Sequence, residues 1–160
     1  MLDFDLDAIL DEMKGRSIQE KLEQLNSLYN ELEEAAQELR DRMTAMNDEY
    51  TESVLSTIKA GIQSLITEKH WNKGVILKDG LYKFKTEEAQ VYVNVICVQG
   101  EWSIHINTDI SNNEKRYDTL SSLAQLLDLP YKRGNDEIIR IVEEEYLSSA
   151  ITNIFTRLCG

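Results

Sequence analysis

The chain has 160 residues, enough for one ordinary domain or a smaller domain with a helical extension. A composition of 42% hydrophobic and 29% charged residues excludes a disordered chain, and a net charge of −12 disfavours general binding to phosphate backbones. The longest apolar run, VYVNVICV, is broken by Asn94 and is too short to cross a bilayer.

The charge is unevenly spread: residues 1–60 hold 15 acids against 6 bases, and residues 61–160 hold 14 against 11. Cys97 and Cys159 have neither metal-ligand spacing nor a disulfide framework, and the N-terminus lacks a secretory pattern. A cytoplasmic protein in a reducing compartment is therefore expected.

In chain order, residues 3–14 place Phe4, Leu6, Ile9, Leu10 and Met13 at helical spacing behind a run of aspartates. Acids there complement the positive end of a helix dipole. DFDLD starts like a calcium loop, but Ala8 and Lys14 occupy the places where that loop needs glycine and glutamate, so no metal is expected. Phe4, Leu6, Ile9 and Leu10 also form a candidate acidic-hydrophobic docking segment.

After KGRS, Ser17 is a natural helix N-cap and Glu20 completes a capping box. Apolar residues then recur at Ile18, Leu22, Leu25, Tyr29, Leu32, Ala36, Leu39, Met43, Met46 and Tyr50, in alternating steps of four and three. That spacing over more than four heptads predicts a coiled-coil seam. Ser53 breaks the frame, and Val54, Ile58, Ile62, Leu65 and Ile66 resume it with the shift of a stutter. One continuous helix and a hairpin turning at 46–48 both fit, and the absence of glycine and proline there favours the continuous helix.

From residue 74 the apolar period changes to two. GVILKDGLYKFKT predicts a hairpin with a type I′ turn at Asp79-Gly80; QVYVNVICV and WSIHINT predict a second hairpin across 99–101. Alternation sets Tyr82 and Phe84 opposite Lys83 and Lys85, which makes the aromatics core and the lysines solvent-facing. DTLSSLAQLLDL predicts a helix from an Asp118 cap, ended by Pro130. A last helix is expected from Asn135 or Asp136, with Ile139, Val142, Tyr146, Ala150, Ile154 and Leu158 on one stripe.

The predicted fold is thus α+β: a long N-terminal coiled-coil-type helix (or helical hairpin), then a four-stranded antiparallel meander covered by two C-terminal helices. Residues 1–16 form a short acidic amphipathic helix, 17–71 the oligomerisation helix, and 72–160 a small α+β domain. No catalytic, metal-ligating or cofactor-binding set stands out. Cys97 shares a strand face with Val91, Val93 and Val95 and reads as a small buried hydrophobe. His105 is the one histidine placed where a weak enzymatic alternative could use it.

The expected function is a non-enzymatic interaction module, pairing with itself as a dimer or higher, or with a heteromeric coiled-coil partner. No membrane and no direct nucleic-acid partner is expected. The alternative is an acidic inhibitor or adaptor, mimicking nucleic acid or resembling a secretion chaperone, that fills a basic groove with the carboxylates of residues 20–52. Its binding would weaken steeply with salt.

Overall fold

A computed structural model describes residues 5–160, so Phe4 lies outside the described residues. The elements are α1 (Leu6–Glu12), α2 (Ile18–Lys69), β1 (Gly74–Lys78), β2 (Leu81–Lys85), β3 (Gln90–Val98), β4 (Glu101–Thr108), α3 (Asn113–Leu127), β5 (Ile138–Val142) and α4 (Glu144–Cys159). They fall into two compact units, Met1–Thr44 and Ala45–Gly160. From Ala45 onward, α2 therefore belongs with the sheet.

In the first unit, the Asp5 carboxylate accepts from the backbone N–H groups of Asp7 and Ala8 and so starts α1. Met13, at the C-cap of α1, is buried. The Ser17 hydroxyl accepts from the Glu20 N–H at 3.2 Å, which is half of the expected capping box, and α2 begins one residue later. The hairpin option at 46–48 is not adopted: α2 is a single helix of 52 residues. It ends where His70 takes φ of 55° and the Trp71 N–H returns to the Ile66 carbonyl at 3.1 Å. This left-handed closure satisfies a carbonyl that the helix end would otherwise leave unpaired.

In the second unit, five strands form one antiparallel sheet in the order β1-β2-β3-β4-β5. The alternation read from the sequence sets its faces. Tyr82 and Phe84 on β2, Val91, Val93, Val95 and Cys97 on β3, and Trp102, Ile104 and Ile106 on β4 are all buried. Three helices cover this face rather than two. Leu55, Ile58 and Ile62 of α2 join Leu120, Leu123 and Leu127 of α3 and Leu147, Ile151, Ile154 and Phe155 of α4 in one core. The frame shift at Ser53 thus marks the place where the apolar stripe of α2 turns into the core beneath the sheet; beyond it the stripe is core, not coiled coil.

Three local expectations are corrected. The helix expected from 135 to 158 is a strand, β5, followed by α4. Ile139 and Val142, expected on one helical stripe, lie on opposite faces of this strand: Ile139 and, in α4, Tyr146 are exposed, while Ile138 and Val142 are buried, and four of the five residues of IIRIV are β-branched. The strand pairs antiparallel with β4, Ile106 opposite Ile138 and Trp102 opposite Val142. It brings the sheet to five strands, not four.

Helix α3 starts at Asn113, because Asn112 and not Asp118 accepts the capping N–H, that of Lys115 at 3.0 Å. Along it Leu120, Leu123 and Leu127 are buried and Leu126 is exposed.

The turn chemistry is exchanged between the hairpins. At the first turn only Gly80 has positive φ, and the β1–β2 register slips between Ile76 and Lys78, so the turn is bulged. Type I′ needs two successive residues with positive φ. Gln99 (50°) and Gly100 (80°) supply them at the β3–β4 turn instead.

Candidate functional site

The apolar stripe of α2 changes character along its length. Beyond Ser53 it is in the core, with Leu55, Ile58 and Ile62 buried and Val54, Leu65 and Ile66 packed against them. Before Ser53, seven of the ten seam residues are exposed large hydrophobics, from Ile18 at 72% and Met46 at 71% to Tyr50 at 36%. The others of that group are Leu22, Tyr29, Leu39 and Met43. Ala36 is also exposed, while Leu25 and Leu32 are half-buried. Periodicity explains the row: on a helix, steps of four and three keep returning to one side.

The residues beside the row are polar. In heptad terms Leu22, Tyr29, Ala36, Met43 and Tyr50 are a positions and Ile18, Leu25, Leu32, Leu39 and Met46 are d positions. Glu33 and Arg40 then flank one edge, and Arg42 and Glu49 the other. The Arg42 guanidinium pairs with Glu38 one turn back, at 2.9 Å. Both groups are largely exposed, so this pair adds only a few tenths of a kcal/mol to the helix.

Within the second unit, the end of the seam meets the β3–β4 turn. The Asn47 amide donates to the Cys97 carbonyl at 3.1 Å and accepts from the Gly100 N–H at 3.1 Å. The Trp102 indole N–H donates to the Tyr50 hydroxyl at 3.2 Å, with the rings 5.8 Å apart. The neighbouring Glu144 carboxylate raises the Tyr50 pKa, an effect that outweighs the Trp102 hydrogen bond. Tyr50 is thus at once the last seam position and a prop for the buried Trp102. Asn47→Ala should cost about 1–2 kcal/mol, since it removes these two hydrogen bonds and a weaker one from the Cys97 thiol. Urea titration would measure this, and a loss under about 0.3 kcal/mol would show that the amide does not hold the turn.

The candidate docking segment is only partly described. Leu6 and Leu10 of α1 are exposed and Ile9 is half-buried.

On the sheet face away from the core, Ser103, His105 and Glu137 are joined. The Ser103 hydroxyl lies 2.9 Å from His105 Nε2, and His105 Nδ1 lies 3.0 Å from Glu137 Oε1. Glu137 is not legible in the sequence, because its segment has the spacing of a helix start. A hydroxyl–imidazole–carboxylate chain has the connectivity of a nucleophile with its base, but acyl transfer also needs N–H donors for the oxyanion. Ser103 pairs with Ile96 on one side and Ile141 on the other, so the backbone around it is committed to ladder bonds. The chain of three reads as a cross-strand polar tie between β4 and the start of β5.

Cys97 is buried, as its strand position implied, and burial pushes the Cys159 thiol pKa up. Among the described residues no group of three or more His, Cys, Asp or Glu stands close enough to hold a metal ion, and no helix is long and apolar enough to cross a membrane. The chain matches no protein-family model, no curated protein and no solved structure.

Proposed function

We propose that this chain is a non-enzymatic protein–protein interaction module, in which α2 offers its seam to another helix and the α+β unit presents a recognition surface. The contrast within α2 carries the reading. One helix buries its apolar stripe wherever its own chain supplies a cover, and leaves seven large apolar side chains in water where it does not. Fully burying such a side chain is worth about 1.5–3 kcal/mol. Covering the row yields on the order of 10 kcal/mol before the cost of association, which is itself several kcal/mol.

Light scattering across a concentration series tests the proposal against the monomer mass of 18.5 kDa. An assembled species is expected, and Leu25→Asp combined with Leu32→Asp should reduce it to monomer. Leu25 and Leu32 are half-buried, so a second pair, Leu39→Glu with Met43→Glu, separates assembly from folding. Both sites are exposed, and glutamate suits a helix. Monomer with unchanged circular dichroism is the expected result. Wild-type protein that stays monomeric at every concentration, while binding a basic partner more weakly as salt rises, would favour the acidic adaptor instead.

A further inference from the structure

Resting on the reading of the seam as a helix-binding surface, we infer that its partner is a second copy of this chain, running antiparallel, in the one register where residue numbers facing each other sum to 68. On that rule each of the ten positions meets another of the ten. Ile18 faces the partner's Tyr50, Tyr29 faces the partner's Leu39, and Leu32 faces the partner's Ala36. Every a position meets a d position, as antiparallel knobs-into-holes packing requires, and each tyrosine faces an aliphatic side chain.

Neighbouring registers fail on specific residues. A sum of 75 sets Leu22 against the partner's Ser53 and Ile18 against the partner's Thr57. A sum of 61 leaves Met46 and Tyr50 facing residues that precede the start of α2 at Ile18. The 75 register does match Glu33 with the partner's Arg40, whereas the 68 register sets Glu33 beside its own counterpart. Both are exposed charge effects at the edge of the seam, each smaller than the burial of a single leucine or isoleucine. Covering all ten positions therefore decides the register.

A parallel, in-register pair also covers the row, but its layers are poor. It stacks Tyr29 on Tyr29, Ala36 on Ala36 and Tyr50 on Tyr50, and no a position carries the β-branched residue that favours parallel dimers. Its edge contacts (Lys21 with Asn26, Leu28 with Glu33, Ala35 with Arg40, Arg42 with Asn47) contain no ion pair. The antiparallel pair instead sets Lys21 against the partner's Glu49, twice by symmetry. It also brings Ala35 to the two-fold axis, where a small side chain permits close approach, and opposes the two helix dipoles.

The wild-type chain can be tested directly. Lys21 and Glu49 are 28 residues apart on one helix, about 42 Å at 1.5 Å per residue. A carbodiimide cross-link between them can therefore form only between copies, and mass spectrometry of the cross-linked dimer should find it.

Register is read with nitroxide labels at Glu20→Cys or Asp48→Cys, each with Cys97→Ala and Cys159→Ser and each checked for wild-type mass by light scattering. In the 68 register the two labels give the same inter-copy distance, with an axial part of about 42 Å. A shift of one heptad lengthens one distance and shortens the other by about 10 Å each. A parallel dimer makes both distances short, and either result overturns the inference while leaving the interaction module intact. Monomeric protein with no cross-link removes both.

Discussion

Phe155→Ala should lower the stability of the α+β unit by about 3–5 kcal/mol, the cost of emptying a fully enclosed aromatic site. Phe155 has no exposed surface and meets three other rings. Its centroid lies 4.6 Å from Phe84 and 5.5 Å from Tyr82, both edge-on, and 5.9 Å from Trp71, nearly parallel. These rings come from β2, from the residue that closes α2, and from α4, so one side chain joins the sheet to two of its three covering helices. The backbone also closes on this ring: a Cβ at Gly74 would stand 2.9 Å from Phe155 Cε1 and 3.0 Å from Phe84 Cε1. Collapse around the missing ring is limited by rigid strands, which puts the cost in the upper part of the range. Guanidinium titration should show a lower midpoint with an unchanged slope; a loss under 1 kcal/mol would mean that the four rings are not mutually dependent.

Tyr82→Phe should have the opposite sign. Tyr82 has no exposed surface, and its buried hydroxyl has no hydrogen-bond partner among the described residues. An unsatisfied buried hydroxyl costs about 1–3 kcal/mol, so removing it should stabilise the unit by roughly 1 kcal/mol or more at neutral pH. The same burial pushes the Tyr82 pKa up to about 12 from the ordinary 10.0, with the Asp79 charge adding to it.

The folded state holds this proton more tightly than the unfolded state does. The associated stability is therefore fully present below pH 10 and is lost as pH rises through the folded pKa. Two pKa units correspond to about 2.7 kcal/mol, lost from wild type between about pH 10 and 12. Tyr82→Phe should lack this component, so the gap between variant and wild type should widen across that window. A constant gap would show that Tyr82 does not titrate late.

Much of this architecture is written in periodicity. The α2 seam repeats every 3.5 residues without glycine or proline, and alternation along β2 to β4 sets Tyr82, Phe84, Val93, Trp102 and Ile104 on the buried face. What the sequence hid was a matter of coincident periods and of partners distant in the chain. Ile139 and Val142 are one helical step apart, so spacing alone joins β5 to α4; the β-branched density of IIRIV is the signal that separates them. The first turn of α3 is polar, so its start at Asn113 left no apolar mark.

The seam's composition and frame were legible, including the slip at Ser53, but not what the slip meant. Only the fold reveals that Val54 to Ile66 exchange one neighbour for another. Asn47 and Glu137 escape the sequence pattern for a simpler reason. A single asparagine on a helix, or a single glutamate after a loop, carries no local pattern; its importance lies in Gly100 or His105, far along the chain.

The division of α2 between core and seam also bears on how so polar a helix persists. Starting a helix is the unfavourable event, because several residues must be fixed before the first hydrogen bond forms, while each later residue adds at little cost. From Ala45 to Lys69 that initiation is underwritten by Leu55, Ile58 and Ile62 inside the sheet's core. The residues before Ala45 need only propagate from an end already formed. Their side chains are thereby released from stabilising their own backbone and are free to be chosen for what they meet.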